Sequence, residues 1–286
     1  MLLNFHSAFS SIRAATLAIL LSGCGGSDSS ANNNNNGSSG STSTTSPSTT
    51  GKKGFGLAEN GIAQSNPGLN QADFLKSLKV DWFYSWGTST NVITSIEFVP
   101  MSFGLSGIDK LPASNKYVMG FNEPDNSKQS NLTVQTALDN WSRLSAKSTT
   151  LVSPATAGNP LNDGAWLKDF VAGSPSPRLD AVAVHWYKGP DAKKFKSDIQ
   201  AICDLYKKPV WVTEFAPQTV SSATAEPNKY AQEQVNSFVV DVIAWMNSNS
   251  CVTRFAWHDA KQGTSALLDT ATGQLTPTGI AYSLAQ

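Results

Sequence analysis

Tyr117-Val118-Met119-Gly120-Phe121-Asn122-Glu123-Pro124-Asp125 runs from an apolar, strand-like stretch into a carboxylate and then into turn residues. Pro209-Val210-Trp211-Val212-Thr213-Glu214-Phe215-Ala216 repeats the arrangement around Glu214. Each glutamate follows an apolar β run and precedes turn chemistry, so each leaves its strand at the carboxyl end. Parallel α/β barrels build their active sites at that end. Two carboxylates meeting there are the minimum equipment for hydrolysing a glycosidic bond.

Outward from these two stretches, short apolar runs recur at 54–58, 80–85, 96–101, 117–121, 150–153, 181–185, 210–213 and 253–257. Segments of helical pattern separate several of them, at 71–78, 133–148, 164–171, 193–206 and 227–248. The last has Tyr230, Phe238, Val242 and Trp245 near helical spacing, with Pro227 suited to a first turn. Strand alternating with helix implies parallel strands joined by right-handed crossovers. Eight repeats in about 230 residues predict a single α/β domain, a closed (β/α)8 TIM barrel. A doubly wound nucleotide-binding sheet is the alternative, but Gly54-Phe55-Gly56-Leu57-Ala58-Glu59 lacks a third glycine and shows no following helix.

The chain has 286 residues and 40% hydrophobic content, enough for a sizeable core. Lys+Arg and Asp+Glu both number 21, and no basic run interleaves with aromatics, which argues against a nucleic-acid partner. Arg13, the apolar run Ala14 to Leu21 and the small Ser22-Gly23 read as an export signal over 1–24, too short to span a bilayer. Leu21-Ser22-Gly23-Cys24 resembles a bacterial lipobox, in which Cys24 would carry lipid. The expected location is extracytoplasmic, on the envelope or cell surface, with the membrane reached only through that lipid. Residues 25–52 are rich in Ser, Asn, Thr and Gly and poor in apolar residues, the composition of a linker. As a Gly/Ser-type coil such a tether reaches roughly 30 Å. The catalytic domain is then 53–286, and nothing in it requires a partner subunit, so a monomer is expected.

Cys203 and Cys251 each precede a strand, toward the amino-terminal face of the barrel, and are either bridged or buried as free thiols. No CxxC or Cys/His cluster suggests zinc, and no cofactor motif appears.

Numbered on the barrel, Glu123 follows the fourth strand and Glu214 ends the seventh, nearly across the mouth from each other. Their carboxylates should approach within about 5 Å, the separation of a retaining double displacement. Glu214 is then the nucleophile and Glu123 the acid/base, whose pKa should be raised in the free enzyme. Asn122 is placed to bond a sugar 2-hydroxyl or to hold the Pro124-Asp125 turn. His185, Trp186 and Tyr187 close the sixth strand, where an imidazole or phenol can donate to the nucleophile and the aromatics can meet substrate. Trp82, Tyr84 and Trp86 alternate along the second strand and share one face, forming either a sugar platform, with Tyr84 and Trp86 nearest the mouth, or packing. Trp257 ends strand eight as substrate floor or core, and Glu59 is a candidate secondary binder. Glu97 starts its strand and reads as structural. Metal binding is not expected, because the other histidines are His258 and His6, the latter in the signal.

Taken together, Gly120-Phe121-Asn122-Glu123-Pro124-Asp125, His185-Trp186-Tyr187 and Trp211-Val212-Thr213-Glu214-Phe215 resemble glycoside hydrolase family 128. Lys53-Gly54-Phe55-Gly56-Leu57-Ala58 and Glu97-Phe98-Val99-Pro100-Met101 extend the resemblance over essentially 53–286. The resemblance implies a (β/α)8 barrel and a retaining, endo-type hydrolysis of β-1,3-glucan, with Glu123 as acid/base and Glu214 as nucleophile. Other β-glycans, such as β-1,4 or β-1,6 glucan or xylan, and a non-catalytic glucan-binding protein are the alternatives. A serine hydrolase is disfavoured, because Gly104-Leu105-Ser106-Gly107 lacks the spacing of a nucleophile elbow.

Overall fold

The computed structural model describes residues 51–217, 228–258 and 263–286. The expected signal, the lipobox at Cys24, the linker up to residue 50 and Pro227 lie outside the described residues.

Eight parallel strands follow one another, with helices between all neighbours except the second and third. The strands are β1 (Lys53–Gly56), β2 (Trp82–Tyr84), β3 (Glu97–Phe98), β4 (Asn115–Met119), β5 (Ser148–Val152), β6 (Val182–Trp186), β7 (Val210–Phe215) and β8 (Val252–Trp257). Ladders join β3-β2-β1-β8-β7-β6 and β4-β5. Single parallel bridges complete the ring, Met101 to Met119 between the third and fourth strands and Val152 to Ala181 between the fifth and sixth. Every sequence-predicted strand overlaps an observed one.

Period-two alternation sorts side chains into two cores. Trp82, Tyr84, Val99, Met101, Met119, Val152, Trp211 and the small Ala181, Ala183 and Ala256 fill the barrel interior. Large rings share that interior with alanines, which leave them room. Gly54 and Gly56 belong to the same fit. A Cβ on Gly54 would come 2.3 Å from the Trp82 indole, and one on Gly56 2.9 Å from the Tyr84 hydroxyl. The glycines that failed as a nucleotide loop leave room for aromatic rings. Phe55, Phe83, Val118, Leu151, Val184 and Val212 point the other way, into the layer beneath the helices.

Helices α2 (Gln71–Ser77), α4 (Val134–Ser145), α5 (Trp166–Val171), α6 (Ala192–Tyr206) and α7 (Gln232–Ser248) match the periodic segments. Asn70, Thr133 and Asp191 cap three of them with side-chain oxygens on first-turn amides. Three short helices were not legible: α1 (Glu59–Ser65), α3 (Leu105–Ile108) and α8 (Pro277–Leu284). The sequence reading that no helix follows the first strand is therefore corrected. Helix α1 begins there, but its N-cap, Ala58, makes no side-chain bond that would announce it.

The amino-terminal end of the barrel is closed by Arg254. Its guanidinium lies 4.3 Å from the Tyr117 ring centre, 4.8 Å from Trp211 and 5.2 Å from Trp82, and it pairs with Glu97. Glu97 is structural, as its place at a strand start implied. Cys203 and Cys251 form a disulfide, which ties the end of α6 to the start of β8.

Candidate active site

Glu214 is the fifth residue of β7 and faces inward, 4% exposed. Its carboxylate is crowded with donors. The Trp86 indole N–H lies 2.8 Å from Oε1, the Tyr84 hydroxyl 3.3 Å from the same oxygen, and the Tyr187 hydroxyl 2.5 Å from Oε2. Burial, with the Glu214 charge next in weight, pushes the Tyr187 phenol well above its ordinary pKa, so the hydroxyl remains a donor.

Glu123 stands four residues beyond β4 with φ of 41°, in the left-handed region. Two backbone bonds pin it there, Glu123 N–H to Ala155 O at 2.7 Å and Asn126 N–H to Glu123 O at 3.0 Å. The Asn126 side-chain amide donates to Oε2 at 2.9 Å. Asp125 fastens the same turn to the segment after β5 by accepting from Ala157 N–H and Gly158 N–H, both at 2.8 Å.

His185 lies between the two carboxylates. Its side chain is 1% exposed, with Nδ1 3.0 Å from Glu123 Oε1 and Nε2 3.4 Å from Glu214 Oε1. The second contact is coulombic, since Nε2 has no aligned hydrogen-bond partner. One oxygen of each glutamate and a His185 nitrogen all fall within 4.8 Å of one another. Among the described residues this is the only cluster of His, Cys, Asp or Glu with ligand-like spacing. The imidazole already faces a carboxylate from both nitrogens, so the trio reads as proton-sharing chemistry.

The electrostatics revise one expectation. Burial pushes the Glu123 carboxyl upward, but the His185 hydrogen bond and charge, then the Asn126 amide and His258, outweigh it and hold the pKa below the ordinary carboxylate value. Burial likewise lowers His185, yet Glu214, Glu123 and Asp125 together raise its pKa above the usual 6.5. The expectation of a raised Glu123 left out the imidazole that faces it at 3.0 Å.

The other sequence candidates divide. Tyr84, fully buried, and Trp86, half-buried, meet Glu214 through their polar atoms, so they serve the carboxylate directly instead of forming a bare stacking platform. Asn122 is 3% exposed, donates to Gln129 at 3.3 Å, and keeps a buried Oδ1 with no partner among the described residues. The structure does not bring Trp186, Trp257 or Glu59 to the pair. Trp186 alternates outward from His185, stacks on Phe238 and donates to Asp198 at 3.1 Å. Trp257 is fully buried against Phe215 and Tyr282, under the helices. Glu59, in the first turn of α1, accepts from the Thr90 hydroxyl at 2.5 Å and from Asn91 N–H at 3.2 Å, at the edge of a separate groove.

Asn126 has a site role that the sequence reading missed, and His258 stands just past β8 at the same mouth. His258 sets its ring 5.5 Å from Trp86 and 5.4 Å from Tyr187, edge to face with both. A cavity of about 520 Å³ is lined by Trp86, Phe103 and Gln129 among others, and a separate one of about 300 Å³ by Asp125, Thr156 and Trp166.

Comparison with known proteins bears on this geometry. A family model described as a glycosyl hydrolase catalytic core matches residues 56–282. No curated protein matches the chain. Among solved structures, the chain is similar to a family 128 subgroup I endo-β-1,3-glucanase from Amycolatopsis mediterranei in complex with laminarihexaose. The two share 28% identity over 82% of this chain and 99% of that one, with a TM-score of 0.70. The fold is shared with a subgroup VII oligosaccharide-binding protein from Trichoderma gamsii at 24% identity, covering 82% of this chain and 93% of that one, with a TM-score of 0.65. It is shared also with a subgroup V exo-β-1,3-glucanase from Cryptococcus neoformans at 24% identity, covering 82% and 98%, with a TM-score of 0.65. The chain belongs to the glycosyl hydrolase catalytic-core family and, within it, to glycoside hydrolase family 128.

Proposed function

We propose that this protein hydrolyses β-1,3-glucan with retention of anomeric configuration, Glu214 acting as nucleophile and Glu123 as acid/base. The observation that carries the reading is the pair itself, with carboxylate oxygens inside 4.8 Å across the barrel mouth. That separation suits direct attack on the anomeric carbon and leaves too little room for an inverting water. Trp86, Tyr84 and Tyr187 fix the Glu214 oxygens, so its attacking lone pair is preoriented. Glu123 protonates the departing oxygen, then removes a proton from the water that releases the sugar from Glu214.

Similarity to the Amycolatopsis mediterranei endo-β-1,3-glucanase with its bound laminarihexaose supports the linkage. The endo action of that relative supports endo cleavage here. The test is laminarin hydrolysis by wild type, Glu123→Ala and Glu214→Ala, with the product anomer followed by proton NMR. Both variants should lose at least about 100-fold in kcat/KM, and the first-formed product should be the β anomer. Undiminished hydrolysis by both variants would refute the reading. Retention on insoluble glucan with no new reducing ends from wild type would point to a binding protein, as in the Trichoderma gamsii relative.

We also place the protein outside the cytoplasm, anchored by lipid on Cys24. The support is the Leu21-Ser22-Gly23-Cys24 pattern behind an apolar run.

A further inference from the structure

Every cleavage requires a proton on the acid, yet Glu123 sits where its carboxyl is held below its ordinary pKa. Its Oε2 receives the Asn126 amide, which carries no exchangeable catalytic proton, and its Oε1 faces His185. The imidazole is almost completely enclosed and touches both glutamates, from β6 toward the turn after β4 on one side and toward β7 on the other. Tyr187 closes a third side at 6.4 Å between ring centres, and the Asp125 charge acts from farther along the Glu123 turn.

We propose that His185 stores the catalytic proton in the resting enzyme and passes it from Nδ1 to Glu123 during cleavage, so that the working acid is a His185–Glu123 pair governed by the charge on Glu214. The inference rests on the reading of Glu123 and Glu214 given above. In the resting state both imidazole nitrogens carry hydrogen, and the ring is a cation between two anions. As Glu214 forms its bond to the anomeric carbon, its negative charge disappears from beside Nε2. The imidazolium loses one of the two anions that held its proton and becomes the stronger acid. The Nδ1 proton moves to Glu123, and Glu123 delivers a proton to the glycosidic oxygen, which departs with the electron pair of the broken C–O bond. What remains is neutral imidazole with hydrogen on Nε2, a Glu123 carboxylate and the glycosyl ester.

The second half reverses each transfer. Water attacks the anomeric carbon, Glu123 takes its proton, the bond to Glu214 breaks with its electron pair returning to the carboxylate, and the proton goes back to Nδ1. Protons and electrons balance over the cycle. The device releases the proton as the nucleophile's charge is consumed, leaves Glu123 ionised for the water step, and takes the proton back as that charge returns.

Leaving-group dependence tests it. A dinitrophenyl β-laminarioside departs without protonation, whereas laminarin needs the acid. His185→Gln keeps an amide near both carboxylates but cannot store a proton. It should lose on the order of 100-fold or more in kcat/KM on laminarin and at least 10-fold less on the dinitrophenyl substrate. Equal losses on both substrates would assign His185 to Glu214 alone and overturn the proposal. Glu123→Ala and Glu214→Ala run alongside. If Glu123→Ala does not spare the dinitrophenyl substrate, the acid/base reading itself fails, independently of His185.

Because the His185 variant can lose its fold, nitrogen NMR of the wild type supplies a second measurement. Both ring nitrogens should be protonated in the free enzyme near neutral pH, and Nδ1 should be bare once a 2-fluoro sugar is trapped on Glu214. An unprotonated Nδ1 in the free enzyme, or no change on trapping, would overturn the proposal.

Discussion

Two residues at the barrel mouth adopt backbone conformations that side chains usually avoid, Trp86 with φ of 55° and Glu123 with φ of 41°. Each costs roughly 1–3 kcal/mol, and such strain gathers where side chains must be aimed. Here it aims an indole N–H and a carboxyl into one small volume. Tyr187 completes the grip on Glu214, and Tyr187→Phe removes its shortest hydrogen bond while leaving the ring's packing. Its kcat should fall on the order of 10- to 100-fold with a smaller change in KM, read from initial rates on laminarin. The charged neighbours of His185 also set a pH dependence for stability. His185 has a folded pKa above 6.5, so its contribution is complete below 6.5 and is lost as pH rises through the elevated value. Glu123, with a depressed folded pKa, contributes above 4.5 and loses that contribution only as pH falls through its lower value. The midpoint difference between wild type and His185→Gln should therefore be larger near about pH 6 than near about pH 9 in denaturant titrations. A difference that grows with pH would contradict the assignment.

At the scale of elements, the amino-terminal end of the barrel depends on side chains reaching across long sequence separations. Lys52 donates to the carbonyls of Met246, Asn247 and Asn249 at the end of α7, and Lys53 to those of Tyr282, Ser283 and Ala285 at the end of α8. The two lysines satisfy the orphan carbonyls of the last two helices and oppose their dipoles. Burial, partly offset by Asp81, lowers the Lys53 pKa to about 8. The disulfide works on the same face. It closes a separation of 48 residues between α6 and β8, which in the chain-entropy account is worth about 4 kcal/mol. Cys203→Ala with Cys251→Ala should lower thermal stability by roughly 10 °C in calorimetry and leave laminarin turnover at low temperature intact, because the bridge lies opposite the carboxylates. A loss of turnover with unchanged Tm would reverse that division of roles.

For the whole molecule, ring closure decides the site. Glu123 and Glu214 are carried by β4 and β7, and the bridges Met101–Met119 and Val152–Ala181 link the β4-β5 ladder to the six-stranded one. Glycines at 54 and 56 and alanines at 181, 183 and 256 let aromatic rings fill the interior of that ring. The full chain adds the expected lipid anchor. Metabolic labelling with an alkyne fatty acid should mark the wild type and leave Cys24→Ala unlabelled, and unlabelled wild type would remove the anchor from the proposal.

The sequence by itself determined the repeating strand and helix pattern, the strand-end placement of Glu123 and Glu214 and the structural role of Glu97 at a strand start, because alternation and turn chemistry are local properties. It could not separate inward from outward rings at strand ends. Trp186 and Trp257 looked as suited to sugar as Tyr187, and only the register of β6, β7 and β8 turned them beneath the helices. The protonation of the site was equally hidden. It depends on an imidazole held 3.0 Å from one carboxylate and 3.4 Å from the other, distances set by three strands and a strained turn that meet only after the barrel closes. Electrostatic coupling acts through space, so tertiary structure alone decided which group holds the proton.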